Sequence, residues 1–140
     1  MLAPAGRSLM LFVCRQNAGR PQMSAAFFNR EVAGRAIGES AGTTPAERVH
    51  PVVVEAMREV GIELADATPK LLTPLLQQLA DLTVTMGCGD ACPLVHAPVI
   101  EWDLEDPKDR PLKEVRRIGD DIAFRVGELV ASRFADSPAR

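Results

Sequence analysis

A short apolar run, Leu9 to Val13, passes straight into the polar loop Cys14-Arg15-Gln16-Asn17-Ala18-Gly19-Arg20, and a helical repeat opens behind it at Pro21. This strand–loop–helix unit constrains the fold more than any other stretch. An apolar run that short, bounded by polar residues, reads as a buried strand over Ser8 to Val13. Proline suits the first turn of a helix, where its missing N–H would have no intrahelical partner. From Gln22 to Val32 the residues Met23, Ala26, Phe27 and Val32 fall at helical spacing, and Gly34 ends the run. A strand that hands over to a helix through a tight loop is the opening half of a βαβ unit, which implies a parallel sheet.

The rest of the chain continues the alternation. Ala36 to Ala41 reads as a strand ended by Gly42, and Thr43 to His50 as a loop. Pro51 to Val60 is expected to be a helix with Val53, Val54, Met57 and Val60 on one face, stopped by Gly61. Leu71 to Leu79 reads as a short helix begun near Thr73–Pro74, Leu82 to Met86 as a β-branched strand, and Val99 to Trp102 as another strand. A long last helix spans Leu112 to Phe134, with Val115, Ile118, Ile122, Val126, Leu129 and Val130 in its apolar stripe. The expected architecture is α/β, a four-stranded parallel sheet with helices on both faces, in one domain over residues 1–140. Ligands in such sheets bind beyond the carboxyl ends of the strands. Cys14, Cys88 and Trp102 all lie at or just past such ends.

Charge and cysteine usage narrow the function classes. A formal net charge of −3 gives no global basic footprint for nucleic acid. No apolar run is long enough to span a bilayer, and the opening stretch reads as a first strand rather than a signal peptide, so a cytoplasmic protein is expected. Three cysteines, Cys14, Cys88 and Cys92, are an odd number for a disulfide scaffold. No metal is expected: zinc requires four good donors, and His50 and His96 lack paired ligand spacing.

The loop from Cys14 to Arg20 carries the chemistry. Amides in a tight turn at a helix N-terminus bind oxyanions, so Arg15, Gln16, Asn17, Ala18, Gly19 and Arg20 are the expected oxyanion cradle. The same field favours a thiolate at Cys14. Arg20 supplies a planar guanidinium that grips two oxygens of a tetrahedral anion. Sulfur attack on a phosphate-like centre follows. The bland alternative is a cysteine that serves only as a small buried hydrophobe. Cys88 and Cys92 are open to three readings: a redox pair, half a metal site, or incidental thiols. Asp106, ahead of Pro107, is either a solvated turn residue or a proton donor to a leaving oxygen.

The stretch L-F-V-C-R-Q-N-A-G-R-P-Q-M-S-A-A-F-F-N, the S-A-G-T at Ser40 to Thr43, and H-P-x-x-x-x-A-M-x-E-x-G-I from His50 to Ile62 resemble the signature of the arsenate reductases built on the low-molecular-weight tyrosine phosphatase fold. The resemblance runs from Leu9 to Val130. It implies a three-layer αβα sandwich, a loop shaped by Asn17, and Asp106 as general acid. It also implies that Cys88 and Cys92, in T-M-G-C-G-D-A-C-P, relay a disulfide; Asp90 between them is read as a turn residue. The implied substrate is arsenate, with phosphate or sulfate as analogues, for arsenic detoxification. No cofactor is implied as bound; the electron source is an external thiol, whether thioredoxin, glutaredoxin or a small thiol. Two departures stand out. Pro21 replaces a Ser or Thr whose hydroxyl steadies the thiolate, so a higher Cys14 pKa is expected than in the family. Ala25 and Lys70 occupy positions where some relatives hold potassium with acidic residues, so no potassium requirement is expected. Two alternatives are a low-molecular-weight phosphatase and a non-catalytic oxyanion- or arsenic-binding protein.

Overall fold

The computed structural model describes residues 8–87 and 98–134. Strands β1 (Ser8–Cys14), β2 (Ala36–Gly42), β3 (Leu82–Thr85) and β4 (Val99–Glu101) form one parallel sheet in the order β2-β1-β3-β4. The helices are α1 (Arg20–Val32), α2 (Pro51–Glu59), α3 (Pro74–Leu79) and α4 (Leu112–Phe134). The expected α/β architecture, with its four-stranded parallel sheet and helices on both faces, is the one observed.

β1 lies inside the sheet because it is apolar on both faces, and every residue from Leu9 to Cys14 is buried. The strand pleat sends Met10, Phe12 and Cys14 to one face and Leu11 and Val13 to the other. The first face is covered by α1, α2 and α4, which contribute Phe28, Met57 and Ile122 among others. The second is thinner and packs Leu72, Ala80 and Leu76 of α3. Each large buried apolar side chain is worth about 1.5–3 kcal/mol. Most of them lie under α1, α2 and α4, so that side dominates stability.

Helix α1 is buried on two flanks, against β2 and against α4. Phe28 is therefore fully buried, although the helical stripe read from the sequence included Ala26 instead, which is only partly buried. Asn29 ties α1 to β2: its Nδ2 donates to Gly38 O at 3.1 Å, and Gly38 N–H donates to its Oδ1 at 2.8 Å.

Two expectations need correction. Leu71 is not helical; it makes a parallel bridge with Gly42, and the helix begins only at Pro74. The reason is local: Thr73 takes an extended conformation and its Oγ1 accepts the Leu76 N–H at 3.2 Å, an N-cap that fixes the start. Val60, expected on the apolar face of α2, lies at its C-cap and is exposed, while Val53, Ala56 and Met57 make the buried face. Elsewhere strand and helix ends shift by a residue or two. Helix α4 and its whole apolar stripe agree with expectation, with buried Gly119 added.

Candidate active site

All four strands run the same way, so their carboxyl ends share one rim. Cys14 ends β1, Gly42 ends β2, and Gly87 follows β3 closely. Trp102, just past β4, is buried and packs its ring, tilted by 42°, with its centroid 6.0 Å from that of Phe12, a packing residue rather than a contact of the pocket.

The loop from Cys14 to Arg20 folds back over Gly42, and its carbonyls are taken up by neighbours. Thr43 N–H donates to Cys14 O, Thr44 N–H to Arg15 O, Ala46 N–H to Gln16 O and His50 N–H to Ala18 O, at 2.8–3.3 Å. Gln22 Nε2 donates to Asn17 O at 3.2 Å. With the carbonyls held on the outside, amides turn toward the sulfur. Asn17 makes this possible by adopting a left-handed backbone, φ 52, a region Asn tolerates better than most residues. Its N–H lies 3.3 Å from Cys14 Sγ. Its side chain is fully buried, and its amide O and N find no hydrogen-bond partner among the described residues. The β2 end must be glycine here, because a Cβ on Gly42 would sit 2.6 Å from Arg15 O and 2.9 Å from Asn17 N.

Arg20, in the first turn of α1, reaches across the rim. Its Nη1 donates to Leu104 O at 3.1 Å and its Nη2 lies 3.6 Å from Asp106 Oδ2. A Cβ on Gly87, which has φ +87, would fall 2.5 Å from that Nη1, so the guanidinium occupies the space this glycine leaves open. Asp106 is exposed and accepts the Lys108 N–H at 3.0 Å. Pro107 packs on Gly19, where a Cβ would meet the proline ring at 2.8 Å. Thus the D-P loop is seated directly on the Cys14 loop.

Together these elements enclose a cavity of about 290 Å³. It is lined by Cys14, Arg15, Gln16, Ala18, Gly19 and Arg20, and closed by His50, Gly87, Asp106 and Lys108. Burial pushes the Cys14 thiol up; the Asn17 amide, the Arg20 charge and the Gln16 amide pull it back, and burial wins. The thiol therefore stands above its ordinary value, not in the lowered range that the loop's field alone suggests. Burial also pushes His50 down, against the pull of the Asp106 carboxylate, so it is neutral at pH 7.

The low molecular weight phosphotyrosine protein phosphatase model matches residues 9–137. The chain belongs to that family. Several of its relatives are named arsenate reductases. A Halobacterium salinarum protein, provisionally named as one, is 41% identical over 124 residues, 84% of this chain and 87% of the relative. A thioredoxin-dependent arsenate reductase of Corynebacterium glutamicum superposes with a TM-score of 0.79 at 34% identity. It matches 92% of this chain, which spans only 63% of the length of that one. An arsenate reductase in a phosphate-binding state gives a TM-score of 0.81 at 29% identity, over 89% of this chain and 98% of the other.

Of the residues singled out in the sequence, the family fold brings Cys14, Arg20 and Asp106 to one pocket, with Arg15, Gln16, Ala18 and Gly19 lining it and Asn17 just behind. Cys88, Asp90 and Cys92, and with them His96, lie outside the described residues. Sequence reasoning missed His50 and Lys108. In the sequence His50 stands out only as a candidate metal ligand and as part of a motif, and nothing relates Lys108 to Cys14. Glu105 pairs with Arg110 at 3.1 Å and Arg117 at 2.8 Å and so pins the loop after β4 to α4. Among the described residues, no three His, Cys, Asp or Glu side chains are grouped to hold a metal, and no helix is long and apolar enough to cross a membrane.

Proposed function

We propose that this chain reduces arsenate to arsenite, with Cys14 as the nucleophile and an external thiol as the source of electrons. The observation that carries the reading is the convergence of one sulfur, an inward-turned amide, a guanidinium and a carboxylate on one pocket with room for a small oxyanion. The arsenate reductases among its relatives support the choice of substrate.

The chemistry proceeds from the state of the thiol. Cys14 is protonated when a doubly charged arsenate arrives, and as the anion settles against Arg20 and the loop amides that proton passes to the Asp106 carboxylate. The sulfur attacks arsenic. Asp106 gives a proton to the departing oxygen, which leaves as water, and a sulfur–arsenic bond remains. Cys88 then attacks the Cys14 sulfur. The sulfur–arsenic electron pair stays on arsenic, which leaves as arsenite, reduced by two electrons, while a Cys14–Cys88 disulfide forms. Cys92 attacks Cys88, freeing Cys14 and leaving a Cys88–Cys92 disulfide for the external reductant. The parts given to Cys88 and Cys92 rest on their sequence motif.

Thioredoxin is the reductant of the Corynebacterium relative and the first to test here, beside glutaredoxin with glutathione and a small thiol alone. Arsenate-dependent consumption of each reductant is the assay, with aryl phosphate release measured in parallel. Reductant consumption that is lost in Cys14→Ser supports the proposal. Aryl phosphate release without arsenate-dependent consumption would make the chain a phosphatase instead. Full turnover with thioredoxin in Cys92→Ser would remove the three-thiol relay.

A further inference from the structure

Several cations of this molecule have a carboxylate partner. Arg58, Arg110, Arg116, Arg117 and Arg125 each lie within 3.1 Å of one, and Lys70 pairs with Glu39. Arg15 and Lys108 stand out by their position. Both line the Cys14 pocket, and neither is paired with a carboxylate among the described residues.

Lys108 is held there by the turn that carries it. Its own N–H donates to Asp106 Oδ1 at 3.0 Å. Arg110 clamps the same turn, donating its backbone N–H to Pro107 O at 3.2 Å and its Nε to Asp106 O at 2.8 Å. Pro107, the residue before Lys108, is buried against Gly19 of the Cys14 loop. The Lys108 backbone is thus fixed beside the pocket, and its flexible stem lets the ammonium meet an anion inside.

The charges follow. Arg15, Arg20 and Lys108 stand against the single carboxylate of Asp106, which leaves the pocket with two positive charges in a chain whose net charge is −3. His50, neutral at pH 7, adds none. We propose that Lys108 is a further substrate-binding residue, which with Arg15 and Arg20 makes the pocket doubly positive and selects doubly charged tetrahedral oxyanions over singly charged anions. This rests on the oxyanion reading of the Cys14–Arg20 loop and adds to it a residue outside the loop. Without Lys108 the pocket would carry one positive charge, enough for a singly charged anion but not for a doubly charged one.

Sulfate, doubly charged at neutral pH, and perchlorate, singly charged, are the probes. Their binding is measured by titration calorimetry on the wild-type chain, Lys108→Gln and Lys108→Arg, together with steady-state arsenate kinetics. One ammonium close to a dianion at a solvent-facing pocket mouth corresponds to about tenfold in affinity. Lys108→Gln is therefore expected to bind sulfate about tenfold and perchlorate about threefold more weakly, with a loss of arsenate turnover expressed in KM more than in kcat. Lys108→Arg should recover most of it, and added salt should narrow the difference. Lys108 is exposed, so both variants should melt with the wild type. Sulfate affinity in Lys108→Gln within twofold of wild type, or equal losses in the Gln and Arg variants, would overturn the role of its charge. Wild-type protein that binds neither sulfate nor arsenate would instead overturn the oxyanion reading of the loop.

Discussion

Burial and two amides compete for the Cys14 sulfur, and burial prevails. A raised thiol pKa means that the reactive thiolate appears only as pH climbs. Alkylation of Cys14 by iodoacetamide should therefore accelerate with pH through a midpoint above that of an ordinary cysteine. The sign carries to stability. The folded state holds the Cys14 proton more tightly than the unfolded chain, so its contribution is full below the unfolded pKa and is lost as pH rises toward the folded one. Pro21 belongs to the same balance, since it has no hydroxyl to offer the sulfur. In Pro21→Ser the alkylation midpoint should fall by about one pH unit, the size of a hydrogen bond to a charged group; an unchanged midpoint would show that the hydroxyl does not reach. Gly87 works on Arg20 rather than on the thiol. Gly87→Ala puts a methyl into the guanidinium at a positive φ, and a displacement of that size should lower kcat/KM about a hundredfold with arsenate.

At the scale of elements, the site depends on the close approach of two strand ends. Gly42 closes β2 against the backbone of the Cys14 loop, where the atoms in contact are a carbonyl and an amide that cannot turn aside. Gly42→Ala should cost about 1–3 kcal/mol in chemical denaturation, as overpacking does, and should disturb sulfate binding at the same time. Near β2, Lys70 forms an ion pair with Glu39 beside Ala25 and Ser40, so a protein cation already occupies this corner. Exchanging sodium for potassium should leave both the melting temperature and the arsenate turnover unchanged; a rise in either would show an ion site there. These elements were largely legible because their signals are local. Leu9 to Val13, the repeat after Pro21 and the stripe of α4 each declare their structure within a few residues. Leu71 did not, because its bridge to Gly42 is a long-range pairing and the Thr73 cap competed with the helical pattern around it. Phe28 escaped because α1 is buried on two sides, and a single stripe describes only one of them.

At the scale of the molecule, the pocket is assembled from segments far apart in the chain, and its legibility divides along that line. Cys14 and Arg20 were readable because one loop holds both. Asp106 was readable only through its family motif, since nothing near it announces that Pro107 packs on Gly19. His50 and Lys108 reach the pocket solely through folding, and no spacing in the sequence relates them to Cys14. The charge pattern also belongs to this scale: a positive pocket on a negative molecule concentrates the attraction for an anion at one point. The arsenate encounter should therefore weaken with ionic strength even though the chain as a whole is acidic. What decides the account is a single-turnover experiment on fully reduced protein mixed with arsenate and no external reductant. One arsenite per chain, the loss of two thiols and an intramolecular disulfide, all absent in Cys14→Ser, is the expected result. Arsenate that returns unreduced with every thiol intact would contradict it.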